Sequence, residues 1–122
     1  MAIDVSGDWI FDGRPFDTAY GGQIRLSLEQ SGSRIVGDLV QLQDPRTGQP
    51  PTDPEGTRAD VEGEVIEDTE GDNHLVVLKR LNRNDPFRAV FLGVLSPTQD
   101  SVNGTFTNTG RMSGTFLMRK QG

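Results

Sequence analysis

Side chains able to do chemistry are few in this 122-residue chain, and most of them are carboxylates gathered in one segment. Nine acids (Asp53, Glu55, Asp60, Glu62, Glu64, Glu67, Asp68, Glu70 and Asp72) stand there against one base, Arg58. The segment carries −8 and the remainder +2, so the net charge of −6 has a local origin. Hard oxygen ligands around a glycine, as in Asp68-Thr69-Glu70-Gly71-Asp72-Asn73, are what Ca²⁺ uses. The run lacks the alternating Asp order and the twelfth-position Glu of a calcium loop, and no metal site is assigned to it. It reads first as a solvated outer face that discourages edge pairing. Lys79, Arg80, Arg83 and Arg88 follow, placed to pair with these acids across a hairpin.

Other chemistries close quickly. Without Cys there is no thiolate nucleophile, zinc–thiolate site or disulfide framework. His74 is the single histidine, and next to Val76 and Leu78 on an alternating stretch it reads as a packed or rim residue rather than a base. No Gly-x-Ser-x-Gly elbow or phosphate-cradling loop occurs, so no catalytic residue and no cofactor is assigned. An acidic balance argues against nucleic acid as a partner. No run approaches the ~18 apolar residues of a membrane-spanning helix. The opening MAIDVSGDWIF lacks the cationic and apolar regions of a secretory signal, which makes a cytoplasmic location the expectation.

The elements that would position any site are strands. Between turn formers lie short segments alternating apolar and polar residues, the period of a half-buried strand, and no stretch carries a helical stripe. Eight strands are expected, near residues 5–11, 23–30, 35–42, 58–67, 74–81, 87–95, 102–107 and 111–120. Most connections are short enough to require antiparallel neighbours. Residues 44–56 hold Pro45, Pro50, Pro51 and Pro54 and must form a loop. The expected fold is a single all-β domain over residues 1–122, an antiparallel up-and-down barrel. The pattern apolar-x-Gly-x-apolar recurs around Gly37, Gly63, Gly104 and Gly114, and strongly coiled barrel strands give a reason for glycine there.

Gly7-Asp8-Trp9 at the head of the first strand and Arg119 on the last resemble the calycin superfamily of lipocalins, fatty-acid-binding proteins and avidins. The resemblance implies an eight-stranded barrel in which a basic residue of the last strand packs across the Trp ring at the closed end. The avidin pattern is not matched, because Phe11 and Arg14-Pro15 replace its Asn and Gly-Ser and Trp9 is the sole tryptophan. Biotin is therefore not the implied ligand.

Two further expectations concern surfaces. Leu75-Val76-Val77-Leu78 and Val90-Phe91-Leu92-Gly93-Val94-Leu95 are apolar on both faces, and a single-layer barrel has nothing to cover the outer one. A homo-oligomer, most simply a two-fold dimer, is expected through Leu75, Val77, Val90, Leu92 and Val94. Inside the barrel, Phe16, Tyr20, Leu26, Phe91, Phe106, Phe116 and Met118 are the candidate lining of a site for a small apolar or amphipathic ligand, with the proline-rich loop at its mouth. The alternatives are a filled barrel acting as a protein-interaction or assembly module, and a cyclase or isomerase barrel that enforces substrate shape.

Overall fold

The computed structural model describes residues 3–12, 24–42 and 58–121. Eight strands run in chain order: β1 (Gly7–Asp12), β2 (Ile24–Ser31), β3 (Arg34–Gln41), β4 (Ala59–Ile66), β5 (Leu75–Asn82), β6 (Arg88–Leu95), β7 (Ser101–Asn108) and β8 (Ser113–Lys120). Each pairs antiparallel with the next, and β1 with β8 closes the barrel. The up-and-down barrel expected from the alternation is the fold observed. β6 shows the cause most plainly: Ala89, Phe91, Gly93 and Leu95 are buried while Arg88, Val90, Leu92 and Val94 are exposed. One face of the ladder must leave water, and only a period of two satisfies that in a strand.

Two boundaries differ from expectation by two residues and the others by at most one. β1 begins at Gly7 rather than Val5, because Gly7 turns the chain with φ of +128°. β8 begins at Ser113 rather than Arg111, whose φ of 63° belongs to the preceding turn. Asn108 builds that turn, its Oδ1 accepting the Gly110 and Met112 amides at 2.9 and 3.1 Å.

The recurrent glycines face inward. Gly63 stands between Ile35 and Leu78 in the ladder, both buried, and a Cβ there would collide with the Val77 carbonyl oxygen. Gly104 meets the Leu92 carbonyl in the same way. Neighbouring strands thus approach more closely than a side chain permits, which is how a small barrel coils tightly.

The core is one apolar cluster, and among the described residues no polar or charged one is fully buried. Four phenyl rings form its middle. Phe91 lies 5.0 Å from Phe11, 5.4 Å from Phe116 and 6.0 Å from Phe106, centroid to centroid. Trp9, Leu26, Leu39 and Met118 pack around them with 0–1% exposure.

One end of the barrel is plugged. Residues 3–6 cross it, and Gln30 holds them: its Oε1 accepts the Val5 amide at 2.9 Å and its Nε2 donates to the Ile3 carbonyl at 3.0 Å. Trp9 is fully buried there, with Nε1 donating to the Val5 carbonyl at 2.9 Å. The cation over its ring is Lys120, with Nζ 5.9 Å from the centroid, and not the expected Arg119. Register gives the reason. Lys120 lies opposite Trp9 and shares its inward face, whereas Arg119 lies opposite Ile10 and is exposed. Gly7 supports the arrangement, since a Cβ there would come within 3.1 Å of Lys120 Cε.

Candidate functional site

The candidate site lies at the other end of the barrel. A cleft of about 690 Å³ lies there, lined by Ile24 at the start of β2, Gln41 at the end of β3, Arg80 and Asn82 on β5, the Asp85–Phe87 turn, and Thr109-Gly110. Its size falls in the range of sites for small ligands. Apolar wall comes from Ile24, Pro86 and Phe87. Polar groups come from Gln41, Asn82, Asp85 and Arg80.

Arg80 is the unexpected member. It lies opposite Val61 on β4 and Ala89 on β6, both buried, so its side chain enters the barrel rather than facing the acids outside. It is half-buried. Its Nε donates to Asn82 Oδ1 at 2.9 Å, and its guanidinium carbon lies 5.2 Å from the Phe87 ring centroid. Asn82 Nδ2 in turn donates to both Asp85 oxygens, at 3.0 and 3.2 Å. The Phe87 amide donates to Asp85 Oδ1 at 2.8 Å. A cation, an amide and a carboxylate are thereby held in sequence along the rim, with a phenyl ring beneath the cation.

The Phe87 amide, then the Asn82 side chain, holds the Asp85 carboxyl below its ordinary range, with smaller help from the charges of Arg80 and Arg88. A depressed pKa means that the ionised form is favoured by folding, so the rim bonds are present above the ordinary carboxylate range. They are lost as pH falls through the depressed value. Carboxyl chemical shifts followed by NMR from pH 6 to 2 are expected to show Asp85 titrating below an ordinary aspartate. Asp100, held low by Thr98 and then Ser96 at the plugged end, is expected to do the same. An ordinary titration midpoint for Asp85 would mean that the rim chain does not persist in solution.

The residues expected to line the interior are distributed differently. Leu26, Phe91, Phe106, Phe116 and Met118 are buried in the core, and none is among the cleft's described lining. Phe16 and Tyr20 lie outside the described residues, as does the proline-rich loop at 44–56. Arg80 and Asn82 were missed, although parity offered the signal: they continue the face of Val76 and Leu78.

The acids outside the barrel are partly paired. Arg83 bridges Asp60 at 2.9 Å, and Arg58 pairs with Asp38. Lys79 lies opposite Glu62 in the ladder. Asp68 closes its own turn, its oxygens accepting the Glu70 and Asn73 amides at 3.0 and 3.3 Å. Among the described residues no cluster of three or more His, Asp or Glu could hold a metal ion. His74 lies at the rim of the plugged end, half-buried, with Nδ1 accepting the Asp68 amide at 3.0 Å.

The outer wall is uneven. Val90, Leu92 and Val94 are 40–45% exposed. They pair with Lys79, Val77 and Leu75 on one side and with Thr107, Thr105 and Asn103 on the other. On β8 the outward residues Ser113, Thr115 and Leu117 continue the same rows. Around the rest of the wall, beginning next to β5, strands β4 to β2 instead present Asp60, Glu62, Glu64, Arg34, Asp38, Arg25 and Glu29.

No family model and no curated protein matches the chain. Among solved structures, a de novo designed fluorescence-activating β-barrel matches 95% of this chain and 93% of its own, with 18% identity and a TM-score of 0.52. At that identity the likeness is one of fold. The chain is an all-β, closed, eight-stranded antiparallel barrel. Among the described residues no helix is long and apolar enough to cross a membrane.

Proposed function

We propose that this barrel binds a small apolar or amphipathic ligand at the end opposite Trp9. The observation that carries the reading is the cleft of about 690 Å³, where the Phe87 ring and Ile24 meet the Arg80–Asn82–Asp85 chain. An apolar body would lie on Phe87 and Ile24, and a polar end would exchange hydrogen bonds with the rim. Such a site combines mostly apolar contact with a few placed polar groups, the usual composition of a ligand pocket. Support also comes from the fold, which the designed fluorescence-activating barrel shares. The calycin resemblance of Gly7-Asp8-Trp9 points the same way, with Lys120 standing where Arg119 was expected. We further read the working unit as a homo-oligomer through the outer face of β5 and β6.

The packed phenyl core favours one alternative, a filled barrel whose surface engages another protein. The two separate by titration with the dye 8-anilinonaphthalene-1-sulfonate in the Leu92→Asp background, which removes dye binding at the apolar outer wall. Ligand binding predicts enhanced fluorescence, displacement by medium-chain amphiphiles, and a loss of affinity of about tenfold or more in Phe87→Ala. Dye binding that is absent, or unchanged by Phe87→Ala, overturns the site at Phe87 and leaves the filled-barrel alternative.

A further inference from the structure

With no Cys and a single His in the chain, His74 is the one side chain whose ordinary chemistry changes its charge between pH 5 and 8. The ligand cleft makes no use of it. We propose that His74 is a proton-operated catch on the turn between β4 and β5. The neutral ring holds the Asp68 amide; the protonated ring releases it, and the turn rearranges. The catch sits at the plugged end and is independent of the ligand site.

The first argument is the direction of one hydrogen bond. The Asp68 N–H donates to His74 Nδ1 at 3.0 Å. An imidazole nitrogen accepts only without its proton, so the bond requires the neutral ring with its hydrogen on Nε2. In the imidazolium both nitrogens are donors, and an N–H would then face an N–H. The neighbouring bonds decide which part gives way. The His74 carbonyl accepts the Leu95 amide at 2.9 Å, which ties this residue's backbone to the end of β6. The Asp68 carboxylate instead bonds within the turn, its oxygens accepting the Glu70 and Asn73 amides. The turn is therefore the part that moves.

The second argument is what surrounds the ring. A cleft of about 190 Å³ is lined by His74 with Glu67, Asp68 and Asp72 of the same turn, and by Ser96 and Gln99 of the turn between β6 and β7. Three carboxylates and no Lys or Arg stand in its described lining. The charge that the ring gains thus enters an acid-lined space with room for the turn to shift. Other ionisable groups of this end are placed elsewhere. Asp100 accepts the Thr98 and Ser96 hydroxyls at 2.6 and 3.0 Å and feels the charge of Arg119. Asp4 accepts the Ser6 amide at 2.8 Å, and Lys120 covers Trp9. Glu70 is exposed on the turn and is not part of that lining.

NMR of the full chain, following the His74 ring and the backbone amides together through its titration between about pH 5 and 8, tests this. The Asp68 amide is expected to shift with the same midpoint as the ring, and the Glu70 and Asn73 amides to follow it. Its protection against hydrogen exchange, corrected for the intrinsic rate, should fall about tenfold on the acid side, the scale of one hydrogen bond. The Gly104 amide, in the middle of β7, is expected not to respond. His74→Phe keeps a ring but offers no acceptor, so it should hold the Asp68 amide near its acid-side position at every pH. The wild-type titration is decisive by itself if that variant does not fold. An Asp68 amide that ignores the titration of the ring, or that still responds over this range in His74→Phe, overturns the catch.

Discussion

Replacing Trp9 by alanine is expected to cost about 3–5 kcal/mol of folding stability, the range for emptying a buried indole site. The ring has 0% exposure, its Nε1 bonds the Val5 carbonyl, and Lys120 covers its face. Removing it leaves a cavity, strands a carbonyl that Trp9 had satisfied, and takes away a contact with a cation. Since a domain is stable by only about 5–15 kcal/mol, this single change brings the barrel near its unfolding threshold. Urea denaturation would measure it directly, with a melting temperature roughly 10–20 °C lower as the thermal counterpart. Trp9→Phe separates the terms, retaining most of the ring volume but not the hydrogen bond. A loss below about 1 kcal/mol in Trp9→Ala would show that the plugged end stands apart from the cooperative core.

Phe91→Ala is expected to cost a similar amount, about 3–5 kcal/mol, for a different reason. Phe91 is the hub of the phenyl cluster, with Phe11, Phe106 and Phe116 all within 6.0 Å of it. Each well-oriented aromatic pair is worth about 0.5–1.5 kcal/mol beyond the area it buries. The three partners sit on β1, β7 and β8, so collapse into the space is opposed from several sides at once. A dry apolar cavity should result, and benzene or xenon should bind there and restore part of the lost stability. A variant that loses stability without gaining such binding would mean that the core relaxes to fill the gap.

Much of the fold was legible because a closed sheet with one buried face imposes its period on the chain. The alternation of Ile24, Leu26 and Leu28, or of Ala89 to Leu95, leaves little freedom in assigning strands. What the sequence could not supply was stagger. Nothing local fixes how β1 meets β8, about a hundred residues apart, and a slip of one residue exchanges the inward and outward faces. Arg119 over Trp9 is a different case: the calycin resemblance suggested it, although the parity of Phe116 and Met118 already turns Arg119 outward and Lys120 inward. The missing stagger also hides depth along the barrel axis. Parity identified Leu26, Phe91, Phe106, Phe116 and Met118 as inward, but only the stagger of the strands puts them in the packed middle and Ile24, Arg80 and Asn82 at the mouth. Arg80 shows a second cause. Its charge suggested an outside partner among the acids, and that chemical expectation outweighed the parity that it shares with Leu78.

The joint between β1 and β8 has a consequence for how the molecule is made. Every other ladder joins consecutive strands, whereas this one brings together the two most distant. β1 is also the shortest strand, six residues against eight elsewhere. Hairpins can form early from local encounters, but this joint must wait for the loop entropy of nearly the whole chain to be overcome. Trp9 and Lys120 face each other across that joint, so their contact can form only once the two ends of the chain have met.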